Sequence, residues 1–225
     1  MATRTVEQYV KTLYQLHHLA PNSLVQMKTL SEAMQVTPGS ATSMVKHLET
    51  AGLLRYYPRK GTELTEEGKR LGLRMIRRHR LLETFLERLL GYDWSEVHRE
   101  AEELEHAVSE TFIARIDALL DSPEVDPHGD PIPRADGTVE SPSFIPLSEI
   151  PHGATFAVAR IGSDDGDFLT LMKERGLVPG AEFVLVEKSQ TAGTISVRNL
   201  ETDTISTIGY DVGQKILVTS QGTTP

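Results

Sequence analysis

Imidazole and carboxylate side chains are concentrated between His79 and His106, in the stretch HRLLETFLERLLGYDWSEVHREAEELEH. His79 and Glu83 are four residues apart, so on one helix they lie one turn apart on the same face. A second predicted helix begins near Trp94, and its donors on one stripe are His98, Glu102, Glu105 and His106. Neutral imidazole nitrogens and anionic carboxylate oxygens that converge on one point are what a divalent metal ion requires. The alternative is a solvated acidic helix face that includes two histidines by chance.

The composition is that of a globular chain with room for one large domain or two to three small ones. It has 225 residues and no cysteine, which excludes disulfides, thiolate metal ligands and cysteine nucleophiles. No apolar run approaches the length of a membrane span, and the N-terminal sequence does not have the pattern of a signal peptide. We therefore expect a cytoplasmic protein with no membrane partner.

Charge is distributed unevenly along the chain. Residues 1–80 contain 13 Lys and Arg against 6 Asp and Glu, a net charge of +7, whereas residues 81–225 contain 10 against 26, a net charge of −16. A basic N-terminal third on an acidic body predicts a polyanion-binding module fused to another part. The alternative is chance clustering.

The first 65 residues have the pattern of a winged helix-turn-helix domain. Helical periodicity covers residues 5–20 and 26–36, and a third helix follows the turn TPGS. Residues 53–64 predict a β-hairpin with a basic tip, a wing whose cations would meet phosphates. The alternative is a three-helix protein-interaction module. The residues that we predict to contact double-stranded DNA are Thr37, Gly39, Ser40, Thr42, Ser43, Lys46, Arg59 and Lys60.

The rest of the chain predicts three further segments. Residues 66–120 form a helical domain, with one helix over about 66–90 and another over 95–120, apolar enough to pair with a second copy. Residues 121–146 are a linker rich in Pro and Gly, in which His128 is expected to have no role. Residues 147–225 predict five short strands and one short helix, a small β-barrel of SH3-like size.

The predicted fold class is therefore α+β and multidomain. Residues 1–65 are the winged helix-turn-helix domain, residues 66–120 an all-α dimerisation and metal-binding domain, and residues 147–225 the SH3-like domain.

Over almost its whole length the chain resembles the diphtheria-toxin-repressor family of metal-dependent transcriptional regulators in its three-domain form. The run HRLLE…VHREAEELEH is the most specific part of the resemblance. The resemblance implies an ancillary metal site at His79, Glu83, His98, Asp164 and Asp167. It also implies a primary metal site at Gln8, Glu102, Glu105 and His106. Metal in these sites would fix the DNA-binding module on the dimer core.

The chain departs from the family pattern in two respects. The iron-sensing branch has a soft sulfur ligand where this chain has Glu102, which matches the manganese branch. The manganese branch has acidic residues at the positions of Gln8 and Lys11, and a protonated lysine cannot bind a metal ion. The ancillary-plus-primary arrangement is therefore expected, in preference to a pair of manganese ions.

The function expected from these features is a homodimeric repressor of metal-homeostasis genes that responds to Mn²⁺, with about two ions per chain. Oxygen and imidazole donors suit Mn²⁺, and an Fe²⁺-dependent repressor of the same family is the alternative. A metal-dependent enzyme is a remote alternative, because neither the HExxH spacing nor an obvious nucleophile is present. A metal that only stabilises the dimer is a third possibility. No small organic substrate is expected.

Overall fold

The chain begins with three helices, α1 (Arg4–Leu19), α2 (Met27–Ala33) and α3 (Pro38–Thr50). In the computed structural model, which describes residues 3–20, 23–139, 143–163 and 165–220, these helices follow local sequence signals. Thr37 caps α3 by accepting a hydrogen bond from the Ser40 N–H at 3.2 Å, and proline at the first helical position has the φ that a helix needs. Gly52, with φ of +75°, follows the end of α3 in the left-handed conformation that glycine adopts readily.

The predicted wing follows α3 as a two-stranded antiparallel hairpin, β1 (Leu54–Tyr57) and β2 (Gly61–Leu64). Arg59 lies at its tip with φ of +65°. Apolar side chains of α1, α2, α3 and the hairpin form one core, which includes Val10, Leu13, Leu30, Val45, Leu48 and Leu54.

The helices after the wing differ from the prediction in one respect. α4 (Glu66–Leu90) has the predicted extent, but the expected second helix is two helices, α5 (Val97–Leu104) and α6 (Glu110–Leu119). The Ser109 hydroxyl accepts a hydrogen bond from the Phe112 N–H at 3.2 Å and so caps the start of α6. The prediction of one helical stripe from His98 to His106 is therefore wrong, because residues 105–107 form a turn beyond the end of α5.

The C-terminal part is a six-stranded antiparallel sheet with strand order β3-β8-β4-β5-β6-β7. The five predicted strands are confirmed, and a two-residue strand precedes them. The strands are β3 (Ile145–Pro146), β4 (Thr155–Ile161), β5 (Glu182–Ser189), β6 (Thr194–Asn199), β7 (Ile205–Gly209) and β8 (Ile216–Ser220). The predicted helix is α7 (Gly166–Glu174), and a short α8 (Tyr210–Gln214) precedes β8. Inward-facing apolar residues of the strands form the core, which Trp94 also joins.

The chain divides into two compact units. The first unit comprises Met1–His79, Glu102–Ile113 and Pro133–Val139, and the second comprises Arg80–Ala101, Ala114–Ile132 and Glu140–Pro225. In the described residues, no helix is long and apolar enough to cross a membrane.

Residues 126–132 form a tight loop against β4 in the second unit. Oδ1 of Asp126 accepts hydrogen bonds from the N–H groups of His128 and Asp130, both at 2.9 Å. The Ile161 N–H donates to the His128 carbonyl oxygen at 2.9 Å. At Gly129, where φ is +86°, a Cβ atom would lie 2.0 Å from a carbonyl oxygen of β4, so a larger residue would force the loop away. These contacts hold a segment whose composition predicted a linker.

Candidate metal sites and nucleic-acid interface

Lys11 is at the centre of a buried polar cluster in the first unit. Its Nζ atom lies 2.6 Å from Glu102 Oε1, 3.0 and 2.8 Å from the two carboxylate oxygens of Glu105, and 3.1 Å from His79 Nδ1. Lys11 is 2 % exposed, Glu105 is fully buried and His79 is 6 % exposed. We call these four residues the Lys11 cluster. It joins α1, which carries the lysine, to α4, to α5 and to the turn after α5.

Charge compensation accounts for the burial of these groups. An ammonium has three N–H donors and an ionised carboxylate only accepts, so the side chains of Lys11, Glu102 and Glu105 satisfy one another. His79 Nδ1 lies 2.7 Å from Glu105 Oε2, and for a carboxylate acceptor this contact requires a hydrogen on that nitrogen. Removing one partner of a buried ion pair typically costs about 3–5 kcal/mol. Replacing the lysine alone would therefore destabilise the first unit.

His106 lies beside this cluster and faces α1. Its Nδ1 atom is 2.9 Å from Glu7 Oε2, and its Nε2 atom is 3.1 Å from Gln8 Oε1 and 3.4 Å from Glu105 Oε1. We call these four residues the His106 cluster. A hydrogen on Nδ1 that is donated to the Glu7 carboxylate leaves Nε2 of a neutral ring with its lone pair towards two oxygen acceptors.

The His106 cluster fits a divalent ion. Ligand bonds of about 2.1 Å at right angles place two donor atoms about 3 Å apart, which matches the distances from Nε2 to the Gln8 and Glu105 oxygens. A carboxylate that accepts from the other ring nitrogen, as Glu7 does, is the usual way to orient a metal-binding histidine. Glu102, expected as a fourth ligand, instead directs its Oε1 at Lys11.

Arg78 contacts the turn that carries Glu105 and His106. Its guanidinium donates to the Glu105 backbone carbonyl at 3.4 Å and to Glu110 Oε1 at 2.6 Å. The side chain of Arg78 is only 15 % exposed. The path of the chain between α5 and α6 is therefore fixed by a partly buried cation.

A second cluster of donors lies in the second unit, and we call it the Glu83 cluster. His98 Nδ1 is 3.1 Å from Glu83 Oε1, and ligand atoms of Glu83, Asp126 and His128 lie within 4.8 Å of one another. All three of these last side chains are buried. His128 Nε2 is 3.2 Å from the Trp94 carbonyl oxygen, which only accepts, so this contact requires a hydrogen on Nε2.

Negative charge exceeds positive charge around Asp126. Burial, together with the charges of Glu83 and Asp130, raises the pKa of the Asp126 carboxyl well above its usual range, and the charge of Arg80 opposes this shift. Arg80 Nε lies 3.5 Å from Asp126, while its terminal nitrogen donates to Asp130 at 2.7 Å. Arg160 also pairs with Asp130, at 2.8 Å. A cation beside Glu83 and Asp126 would therefore be favoured electrostatically.

The predicted ancillary set is divided between the two units. His98 Nδ1 lies 3.1 Å from Glu83 Oε1 in the second unit, and in the first unit His79 Nδ1 lies 2.7 Å from Glu105 Oε2. Asp167 is exposed in the first turn of α7, and within the described residues it joins no group of donors close enough to share one ion. Asp164 lies outside the described residues.

Sequence reasoning missed four residues of these clusters. Glu7 and the engaged Lys11 lie on α1, and Asp126 and His128 lie in the loop before β3. The available signals were the i, i+4 spacing of Glu7 and Lys11, and the pattern DPHGD, in which acidic residues flank a histidine within a glycine- and proline-rich turn.

The predicted DNA-contacting residues lie on an accessible face of the winged helix-turn-helix part. Thr37, Gly39, Ser40, Ser43 and Lys46 are exposed along α3, and Thr42 is half-buried. Arg59 and Lys60 are exposed at the wing tip. A cleft of about 400 Å³ lies between helix and wing, and its basic and hydroxyl lining residues include Lys28, Thr42, Arg59 and Lys60.

Three family models match successive parts of the chain. The model described as "Iron dependent repressor, N-terminal DNA binding domain" matches residues 1–62. The model described as "Iron dependent repressor, metal binding and dimerisation domain" matches residues 65–134, and a "FeoA domain" model matches residues 145–220.

Characterised relatives agree with these matches. "Iron-dependent repressor IdeR" of Mycobacterium leprae is 31% identical over 205 residues, which cover 86% of this chain and 88% of that protein. "HTH-type transcriptional regulator MntR" of Lysinibacillus sphaericus is 35% identical over 127 residues, which cover 56% of this chain and 89% of that protein. A solved structure, "Manganese-dependent transcriptional repressor complex with manganese", superposes with a TM-score of 0.86 at 39% identity and covers 96% of this chain and 99% of that one.

Proposed function

The chain belongs to the iron-dependent repressor family, and we propose that it is a manganese-responsive member that represses metal-homeostasis genes as a homodimer. As a member of this family it is a metal-dependent, DNA-binding transcriptional repressor. We propose the same division of labour as the sequence indicated, with DNA binding in residues 1–65, dimerisation in residues 66–120, a linker over 121–146 and an SH3-like domain over 147–225. Such a protein binds chromosomal DNA in the cytoplasm and performs no catalysis.

The His106 cluster carries the proposal. Gln8 lies on α1 of the DNA-binding part, whereas Glu105 and His106 lie on the turn after α5, and His106 Nε2 is 3.1 Å from the Gln8 oxygen and 3.4 Å from Glu105 Oε1. An ion bound there would add a link between α1 and the turn. By favouring one orientation of the DNA-binding helices over a range of orientations, that link would raise affinity for the operator.

The donor chemistry favours Mn²⁺. The His106 cluster offers amide oxygen, carboxylate oxygen and imidazole nitrogen, and none of its four residues contains sulfur. Such donors suit Mn²⁺, although Fe²⁺ accepts the same set. The solved manganese repressor with the TM-score of 0.86 supports Mn²⁺, and the relative named as an iron-dependent repressor keeps Fe²⁺ as the alternative.

We place a second ion in the Glu83 cluster, which makes about two per chain. Glu83, Asp126 and His128 offer two carboxylates and one imidazole with ligand atoms within 4.8 Å of one another, and His98 adds an imidazole 3.1 Å from Glu83. This set replaces the predicted partners Asp164 and Asp167 by residues of the 126–132 loop. An ion there would tie that loop, and β4 behind it, to α4 and α5.

Homodimer formation is supported by exposed apolar side chains in the second unit. Leu89, Leu90 and Leu119 are 48 %, 55 % and 64 % exposed, and they lie at the ends of α4 and α6. Exposed leucines at helix ends are unfavourable in water and suit burial against a second copy.

Operator affinity measured with and without metal tests the proposal. We expect Mn²⁺ to raise the affinity of the chelator-treated protein by about 5–150-fold, the usual range of allosteric coupling. Parallel titrations with anaerobic Fe²⁺ and with Zn²⁺ would rank the metals at equal free concentration. His106→Ala should abolish the response, whereas His152→Ala, which alters an exposed histidine in a turn, should retain it. A full response in His106→Ala would contradict the assignment of the switch.

A further inference from the structure

We propose that the Lys11 ammonium is a built-in cation that fills the second of two neighbouring cation positions at Glu105, so that this region accepts one metal ion and not two. The inference rests on the proposed function, because it concerns how many ions reach the metal-responsive part. It assigns to Lys11 the role of setting metal stoichiometry.

The two carboxylate oxygens of Glu105 are directed at different partners. Its Oε1 atom lies 3.4 Å from His106 Nε2, and its Oε2 atom lies 2.7 Å from His79 Nδ1. The Lys11 nitrogen is on the His79 side, 2.8 Å from Oε2, and also contacts Oε1 at 3.0 Å. One carboxylate therefore borders two adjacent positions, one beside His106 and one occupied by the lysine.

The groups around the lysine nitrogen are those that a divalent ion takes. His79, Glu102 and Glu105 have ligand atoms within 4.8 Å of one another, and one imidazole with two carboxylates is a common donor set. The Lys11 nitrogen contacts all three side chains at 2.6–3.1 Å. A metal ion could enter only by displacing a tethered cation that is 2 % exposed.

A tethered cation differs from a metal ion because it does not dissociate. Chelation would empty the position beside His106 but would leave Lys11 in contact with Glu102 and Glu105. Lys11 lies on α1 and its partners lie on α5 and the following turn, so these elements remain joined in the metal-free protein. Metal then adds one link, through Gln8 and His106, to a contact that already exists.

Counting bound Mn²⁺ in the full-length chain tests the inference. Equilibrium dialysis at saturating Mn²⁺ would compare the parent with Lys11→Glu, which replaces the cation by a further carboxylate, and Lys11→Arg, which retains the charge. We expect Lys11→Glu to bind one more ion per chain than the parent, and Lys11→Arg to bind the same number as the parent. The extra ion would share Glu105 with its neighbour, so its electron paramagnetic resonance signal should show spin coupling between two Mn²⁺ ions.

A neutral variant separates this role from simple packing. Lys11→Met has similar length but no charge, so in chelator its melting temperature should fall, on the order of 10 °C, because buried carboxylates lose their partner. Saturating Mn²⁺ should raise its melting temperature more than that of the parent. Lys69→Met, at a side chain of α4 that is 42% exposed, is the matched control and should have the melting temperature and the Mn²⁺ response of the parent.

Unchanged stoichiometry in a folded Lys11→Glu protein, or a spin-coupled pair of ions already in the parent, would overturn the inference. If Lys11→Glu does not fold, an equal Mn²⁺-induced rise in melting temperature for Lys11→Met and the parent would overturn it. A parent protein whose operator affinity ignores Mn²⁺ would instead refute the proposed function. The two failures are distinguishable because ions are counted without DNA.

Discussion

Removing the two cations at the wing tip should weaken DNA binding by an amount that depends on salt. Arg59 and Lys60 are exposed at the tip of the hairpin and line the same cleft as Lys28 and Thr42 of the helix-turn-helix part. Their place beside α3 puts them where the phosphate backbone would pass if α3 enters the major groove. We expect each of them to neutralise one phosphate, without reading the sequence of bases.

The size of the effect follows from counterion release. Each neutralised phosphate contributes a slope of about −0.9 to the dependence of log affinity on log salt concentration. Arg59→Ala with Lys60→Ala should therefore flatten the slope by about 1.8 for one half-site, or about 3.6 for a homodimer on two half-sites. Raising salt from about 50 to 200 mM should shrink the difference between parent and variant about 12-fold or about 150-fold, respectively.

Fluorescence anisotropy with a labelled operator and with a scrambled duplex, over a series of salt concentrations, would measure this slope. The variant should lose affinity for both duplexes to a similar extent. Arg175→Ala with Arg198→Ala, which removes two cations from the second unit, controls for net charge and should leave the slope unchanged. A parent slope retained in the wing variant would refute the assignment of these residues to phosphates.

Two further changes test the 126–132 loop by thermal unfolding. Asp126→Asn should raise the melting temperature of the chelated protein at pH 7 and reduce the gain from Mn²⁺. The pKa of the Asp126 carboxyl is raised in the folded protein, so the fold favours its protonated form. The contribution of this form to the free energy of unfolding is fully present below the usual pKa of 3.8 and is lost as pH rises through the raised pKa. The difference from the parent should therefore almost vanish near pH 4, and Asp203→Asn, at an 82% exposed side chain, should show neither effect. Gly129→Ala should cost about 2–4 kcal/mol, because the new Cβ would meet the Ala159 carbonyl oxygen at 2.0 Å, whereas Gly153→Ala, with positive φ but open space, should cost about 1 kcal/mol; equal costs would contradict the close approach.

The fold was predictable where local signals and periodicity agree. The predicted turn TPGS and Gly52 lie at the two ends of α3, and the pattern of the C-terminal segments predicted five of the six strands, although not their order in the sheet. The break after Leu104 was not predictable from periodicity, because the donors continue at helical spacing through His106. Only the capping residue Ser109, in an otherwise helical pattern, indicated that a new helix begins there.

The sequence predicted which types of residue form the candidate sites better than it predicted which residues lie together in each site. Spacing along the helices identified the imidazoles and carboxylates, but it did not indicate that His79 Nδ1 also faces Glu105. A single lysine on an amphipathic helix usually indicates an exposed position. The burial of Lys11 depends on carboxylates more than 90 residues away in the chain, and no local pattern contains that information.

The turn after α5 explains how two adjacent residues serve different partners. Glu105 contacts Lys11, and His106 contacts Glu7 and Gln8. Residues three and four apart on a helix are neighbours, so Glu105 and His106 both contact the same face of α1. A rotation of α1 by one residue, about 100°, would break both sets of contacts together. A change in the orientation of α1, which belongs to the DNA-binding part, therefore also changes the geometry of the His106 cluster. Because coupling between two binding sites is reciprocal, an ion that favours the DNA-binding orientation must be held more tightly, by the same factor, when the operator is bound.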